Sequence, residues 1–214
     1  MPRRLPRSFF AREVLEVAAA LLGCTITRGP VTVRLTEVEA YAGHLADPGS
    51  HAFRGRTPRT EPMFGPAGFT YVYFTYGMHW CLNLVTGPVG AASAVLIRAG
   101  EVVAGHDVAA ARRPGIPQRD WCRGPARLAA TLDLSGVDSG LDFCTPPVGD
   151  RRSDLVVRSA TASHDPARLR TGPRVGVAGA GGDVAAYPWR FWLDGEPTVS
   201  AYRPAKPRVR RTAP

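Results

Sequence analysis

Lysine is almost missing from this 214-residue chain: of its 27 basic side chains only Lys206, among the prolines of the last nine positions, is a lysine. A core without lysine can hold no Walker A lysine, no PD-(D/E)xK nuclease lysine and no Schiff-base lysine. Cysteine is scarce as well. Cys24, Cys81, Cys122 and Cys144 form no CxxC pair, and the five histidines show neither HExxH nor zinc-finger spacing, so no metal, no disulfide and no cofactor are expected. No apolar run approaches the roughly 18 residues of a membrane-spanning helix. Arg3, Arg4 and Arg7 precede a hydrophobic stretch, but Arg12, Glu13 and Glu16 interrupt what would be a leader core, and a cytoplasmic protein is expected, nucleoid-associated in a bacterium.

What is present is arginine, and 27 basic against 18 acidic side chains leave a formal charge of +9. A GC-rich genome accounts for the arginine bias by itself, yet guanidinium is also the better bidentate partner for phosphate. An excess of this size favours a polyanion, nucleic acid or an anionic membrane surface, over a small acidic metabolite. The apolar fraction of 44% argues against general disorder, and the length suits one domain.

Phe10, Val14, Val17, Ala18, Leu21 and Leu22 recur at helical spacing and predict a helix from about residue 9 to 22, stopped by Gly23. From Val31 to Tyr41 the period becomes two, with Val31, Val33, Leu35, Glu37, Glu39 and Tyr41 on one strand face. Residues 42–69 read as a long functional loop. Strands follow at Thr70–Tyr76, Trp80–Thr86 and Ala94–Ala99, the first two joined as a hairpin through Gly77, Met78 and His79. Helices are expected at Glu101–Arg113 and from Gly124-Pro125 through Leu132, and short strands near Leu141–Phe143, Asp154–Ser159, Arg174–Val177 and Trp189–Leu193. Pro197–Pro214 is rich in Pro and Arg without periodicity and reads as a disordered basic tail. The division is a domain over residues 1–200 and a tail over 201–214.

Carboxylates on an apolar strand face carry a desolvation cost that something must offset. For Glu37 an internal ion pair with an arginine is the expectation; Glu39, two residues from Tyr41 on the same face, can address a bond while the ring stacks on a planar substrate. Tyr71 and Tyr73 face one side of their strand, Phe74 and Tyr76 the other. Arg54, Arg56 and Arg59, with Thr57 and interleaved by His51 and Phe53, form a phosphate-ready loop. Arg98 interrupts an apolar strand and requires a carboxylate, Glu39 before others. Asn83 is expected to be a buried amide satisfied by backbone. The Gly176–Gly182 stretch does not fit GxGxxG and has no nucleotide role.

Several segments taken in order resemble the alkyladenine (3-methyladenine) DNA glycosylase family: Glu37-Val38-Glu39-Ala40-Tyr41, His51-Ala52-Phe53-Arg54-Gly55-Arg56-Thr57-Pro58-Arg59, Met63-Phe64-Gly65, Tyr71 to His79, Cys81-Leu82-Asn83, Val95 to Ala99, Gly124 to Leu128 and Pro188 to Phe191. The resemblance spans about residues 9 to 200. It implies an α+β fold, a single mixed domain around a curved, mostly antiparallel β-sheet, with a hairpin that enters the DNA minor groove and wedges Tyr76 into the gap left by a flipped nucleotide. It further implies that Tyr41, His51 and Tyr73 sandwich the extruded base, that Asn83 screens out guanine, and that Glu39 activates a water positioned with the help of Arg98. Glu37 matches a motif position without a catalytic assignment.

The expected activity is hydrolysis of the N-glycosidic bond of alkylated purines (3-methyladenine, 7-methylguanine, and also hypoxanthine or ethenoadenine) in duplex DNA, by a monomer without metal or membrane. The missing lysines sharpen it, because glycosylases that also cut the strand attack the sugar with an amine; Pro2, whose secondary amine is free once Met1 is removed, is the one residual route. The alternatives are a non-catalytic protein that marks lesions or abasic sites, and a protein that binds RNA or anionic membranes by charge alone.

Overall fold

The computed structural model describes residues 2–146, 155–161 and 165–205. Its centre is β2, Val31–Tyr41: buried Val31 and Val33 alternate with half-buried Thr32 and Arg34, whereas from Leu35 to Ala40 every residue is buried and the strand is covered on both faces. The other strands are β1 (Thr25–Arg28), β3 (Thr70–Thr75), β4 (His79–Thr86), β5 (Ser93–Ala104), β6 (Val156–Arg158), β7 (Leu169–Gly172) and β8 (Arg190–Leu193). They form an eight-stranded sheet in the order β3-β4-β5-β2-β1-β6, with every ladder antiparallel. One side of β2 is shared: β1 takes its first half, β8 pairs with Glu37 to Glu39, and β7 lies beyond β8. Helices α1 (Arg7–Phe10), α2 (Val14–Leu21), α3 (His106–Arg112) and α4 (Pro125–Thr131) supply the rest of the cover. Phe10, Leu21, Leu35, Leu82, Ile97 and Leu128 belong to one buried core between these elements.

The first helix is two. The amide of Gly87 donates to the Phe10 carbonyl and the Arg12 guanidinium donates to the Phe9 carbonyl, and both acceptors are thereby diverted from the turn that would have continued the helix. The helix expected from Glu101 begins only at His106, because β5 runs on to Ala104 along β2. Gly105 turns the chain with φ 73°, and a Cβ there would lie 2.3 Å from the Pro30 carbonyl oxygen. Leu141–Phe143 makes only a single bridge, Phe69 to Asp142. Arg174–Val177 is loop, and the strand of that region is β7, five residues earlier. Asp154 lies outside the described residues, as does most of the tail, residues 206–214. The start of the stretch read as tail is packed: Thr198 is buried and shares a hydrogen bond with Thr36.

Candidate active site

Between Leu35 and Val38 of β2 the ladder to β5 slips twice. Leu35 opposes Gly100 and Glu37 opposes Ala99, so Thr36 is extra; then Val38 opposes Ile97, so Arg98 is extra. Such bulges bend a strand and re-aim side chains. Here they bring one guanidinium between two carboxylates. Arg98 donates through Nε to Glu37 at 2.9 Å and through Nη1 to Glu39 at 3.4 Å. Arg98 thus reaches both carboxylates, and its shorter bond is to Glu37 rather than to Glu39, its expected partner. Both carboxylates are fully buried and the arginine nearly so. Burial opposes its charge, but Glu39 and Glu37 more than offset this, and its pKa is held above the ordinary arginine value.

Glu39 is fixed at both oxygens. The Val175 amide donates to Oε1 at 2.6 Å, and the Tyr41 hydroxyl donates to Oε2 at 2.8 Å. Burial and the Glu39 charge push the Tyr41 phenol well above its usual pKa, which keeps it a proton donor to the carboxylate. Behind Tyr41 stands Arg174, 4.5 Å from the ring centroid and fully buried. Its guanidinium is bidentate to Asp47 at 2.6 and 2.7 Å and also donates to the Ala40 and Gly181 carbonyls. The packing is close enough that a Cβ at Gly49 would fall 2.5 Å from Nη2. Asp47 and Arg174 were missed in the sequence, although the argument that puts Arg98 beside a carboxylate applies equally to Arg174 before Val175.

Glu39, Tyr41, His51, Tyr73, Tyr76, Asn83 and Arg98 line one cavity of about 390 Å³, within the usual size of small-molecule sites. Tyr73 meets the His51 ring edge-on at 4.6 Å, and Tyr71, on the same strand face, lies 3.2 Å from His51 Nδ1 through its hydroxyl. Phe74 packs on Trp80 on the other face. His51 is solvent-exposed at the cavity mouth, yet the surrounding walls and the Arg59 charge lower its pKa to about 4, so the ring is neutral at pH 7. Asn83 is buried and its Nδ2 donates to the Tyr71 carbonyl at 3.0 Å, the backbone satisfaction expected of it.

Tyr76 sits in the β3–β4 turn, 83% exposed and in the left-handed region at φ 51°, followed by Gly77 at φ 67°. This conformation breaks the strand alternation that would have set Tyr76 beside Phe74 and places it at the cavity instead. The arginines of the loop do not line the cavity. Arg59 lies 5.3 Å over the Tyr73 ring, Arg56 pairs with Glu61 at 2.6 Å, and Arg54 is solvent-exposed. Among the described residues no cluster of three or more His, Cys, Asp or Glu is placed to hold a metal, and no helix is long and apolar enough to cross a membrane.

The model of the family described as methylpurine-DNA glycosylase (MPG) matches residues 8–197. The chain belongs to the methylpurine-DNA glycosylase family. Proteins named "Putative 3-methyladenine DNA glycosylase" are similar over nearly their whole length: one from Streptomyces avermitilis is 51% identical over 99% of this chain and 98% of its own. Another from Frankia casuarinae is 50% identical over 92% of both chains, and one from Burkholderia cenocepacia 46% over 96% and 93%. The family match ends at residue 197, three residues before Ser200 donates its amide to Glu37 at 2.6 Å.

Proposed function

We infer that this protein is a DNA glycosylase, a hydrolase of DNA repair that releases alkylated purines from duplex DNA and leaves an abasic site. The family it belongs to supports the class of reaction. The observation that carries the mechanism is Glu39: a carboxylate with three donors from three parts of the chain, opening on an aromatic-walled cavity.

A purine alkylated at N3 or N7 carries positive charge and is already a good leaving group. What remains is to position a water and to stabilise an oxocarbenium-like sugar. Glu39 takes the proton of that water as the C1′–N bond breaks, and its negative charge lies near the positive charge growing on the sugar. Arg98 orients the water from the other side. Tyr41 and Tyr73 stack on the flipped base, with His51 at the cavity mouth, and an electron-poor base gains most from such faces. Asn83 screens guanine, since its amide cannot turn away without giving up the Tyr71 carbonyl. Tyr76 fills the vacated position in the duplex, and Arg54, Arg56 and Arg59 hold phosphates beside it.

Water is the nucleophile in this reading. The core has no lysine, and the N-terminal segment runs beside β6, at the sheet edge opposite β3, where the Arg3 amide donates to Ser159. The test is release of 3-methyladenine and 7-methylguanine from methylated duplex at excess protein, with hypoxanthine and ethenoadenine as further substrates. Glu39→Gln should slow release at least about 100-fold. Release by the variant at the wild-type rate, or binding to abasic duplex with no release by the wild type, would replace this reading with that of a non-catalytic lesion-binding protein.

A further inference from the structure

Glu37 does not line the cavity, yet it accepts more hydrogen bonds than Glu39. Arg98 Nε and Arg190 Nε donate to its Oε1 at 2.9 and 2.7 Å, the Ser200 hydroxyl donates to the same oxygen at 2.9 Å, and the Ser200 amide donates to Oε2. Arg190 closes the arrangement by donating to the Ser200 carbonyl at 2.7 Å. Ser200 in turn accepts from Arg98 Nη2 at 3.2 Å. The guanidinium of Arg98 is therefore held along its Nε–Nη2 edge by groups outside the cavity, and it reaches Glu39 through Nη1 alone, at 3.4 Å.

That division matters because a free guanidinium beside a buried carboxylate closes onto it in a bidentate pair. Closed on Glu39, Arg98 would occupy the oxygens that must take a proton from water, and no edge of it would remain for the water itself. We propose that Glu37 and Ser200 are positioning residues that hold Arg98 turned toward Glu39 but not closed upon it, so that the chain through Ser200 is part of the catalytic unit. The charges agree: two buried carboxylates, Glu37 and Glu39, share two buried guanidiniums, Arg98 and Arg190. The anchor of the C-terminal segment is the pair Thr36–Thr198 at 2.9 Å, which sets Ser200 beside Glu37. The proposal rests on the glycosylase reading and adds to it residues that never touch the base.

The experiment compares wild type, Ser200→Ala, Ser200→Thr and Glu37→Gln in three measurements: single-turnover release of 7-methylguanine, affinity for abasic duplex, and thermal melting. Ser200→Ala should slow release about tenfold, with abasic-duplex affinity and melting temperature at wild-type values, and Ser200→Thr should restore the rate by returning the hydroxyl. Glu37→Gln should slow release further; it removes a fully buried charge, so the half-buried Ser200 carries the test if that variant does not fold. Release by Ser200→Ala at the wild-type rate overturns the proposal, as does a loss matched by lost affinity or melting temperature, or one that threonine does not rescue. Wild-type protein that releases no modified purine overturns the glycosylase reading, and the clamp with it.

Discussion

Arg98 and Arg174 are both arginines in apolar surroundings, and both are satisfied by carboxylates, but in different ways. Arg98 divides itself between Glu37 and Glu39. Arg174 gives itself to Asp47 alone and to two carbonyls, and then presents its flat face to Tyr41. The residue after it supplies the amide that holds Glu39 Oε1. Arg174 therefore fixes two of the groups around Glu39 without touching it. Asp47→Asn leaves that buried guanidinium without its counter-ion, and the expected cost is about 3–5 kcal/mol in denaturant unfolding. Base release should fall as well, since Tyr41 and Val175 both lean on Arg174. An Asp47→Asn protein with unaltered unfolding would show that Arg174 finds compensation elsewhere.

At the scale of elements, the two opposed one-residue slips between β2 and β5 and the turn between β3 and β4 do most to shape the cavity. The slips face Arg98 toward the carboxylates; regular pairing would leave no extra residue there. The turn puts a tyrosine where glycine is the comfortable residue, since a bulky side chain at positive φ costs of order 1–3 kcal/mol. Strain kept at an exposed side chain points to use outside the folded chain. Tyr76→Gly should hold or raise the melting temperature while slowing base release from duplex DNA severalfold, and should affect a single-stranded substrate less, because no neighbouring stack then has to be filled. If the duplex and single-stranded rates fall alike, Tyr76 does not act as the wedge.

For the whole molecule, the charge of +9 predicts binding that weakens steeply with salt. Much of the arginine is already engaged: Arg28, Arg34, Arg98, Arg174 and Arg190 pair with carboxylates in the fold. The salt slope should therefore be far shallower than the total count of basic residues would give. Deleting residues 206–214, which removes Lys206, Arg208, Arg210 and Arg211, should lower the slope of log K against log salt by at most about 3.6, the value for four phosphate contacts. Titration of fluorescent abasic duplex at several salt concentrations measures both. A deletion that leaves the slope unchanged would show that the tail charges do not meet phosphate.

Much of this was legible in the chain itself, for a physical reason: strand alternation is local. The strand from Val31 to Tyr41 and the common face of Tyr71 and Tyr73 follow from successive side chains pointing opposite ways, and both hold in the structure. The single face running from Val31 to Tyr41 does not: the bulge at Thr36 shifts the alternation, so Val31, Val33 and Leu35 and then Val38 and Ala40 enter the core. The helix boundaries at Phe10 and His106 were not legible, because carbonyls accepting from distant amides and a strand partner decided them. Nor was the packing of Thr198, whose surroundings in sequence are those of a tail. The lack of lysine before position 206, the excess of arginine and the order of motifs were determined by the sequence alone, and with them the expectation of a polyanionic partner and of water as the nucleophile. Which carboxylate Arg98 leans on, which amide holds Glu39 and what closes over Glu37 were decided only in the folded chain. Those contacts join residues 61, 136 and 163 positions apart, and no local periodicity carries information over such distances; only the closing of the sheet brings them together.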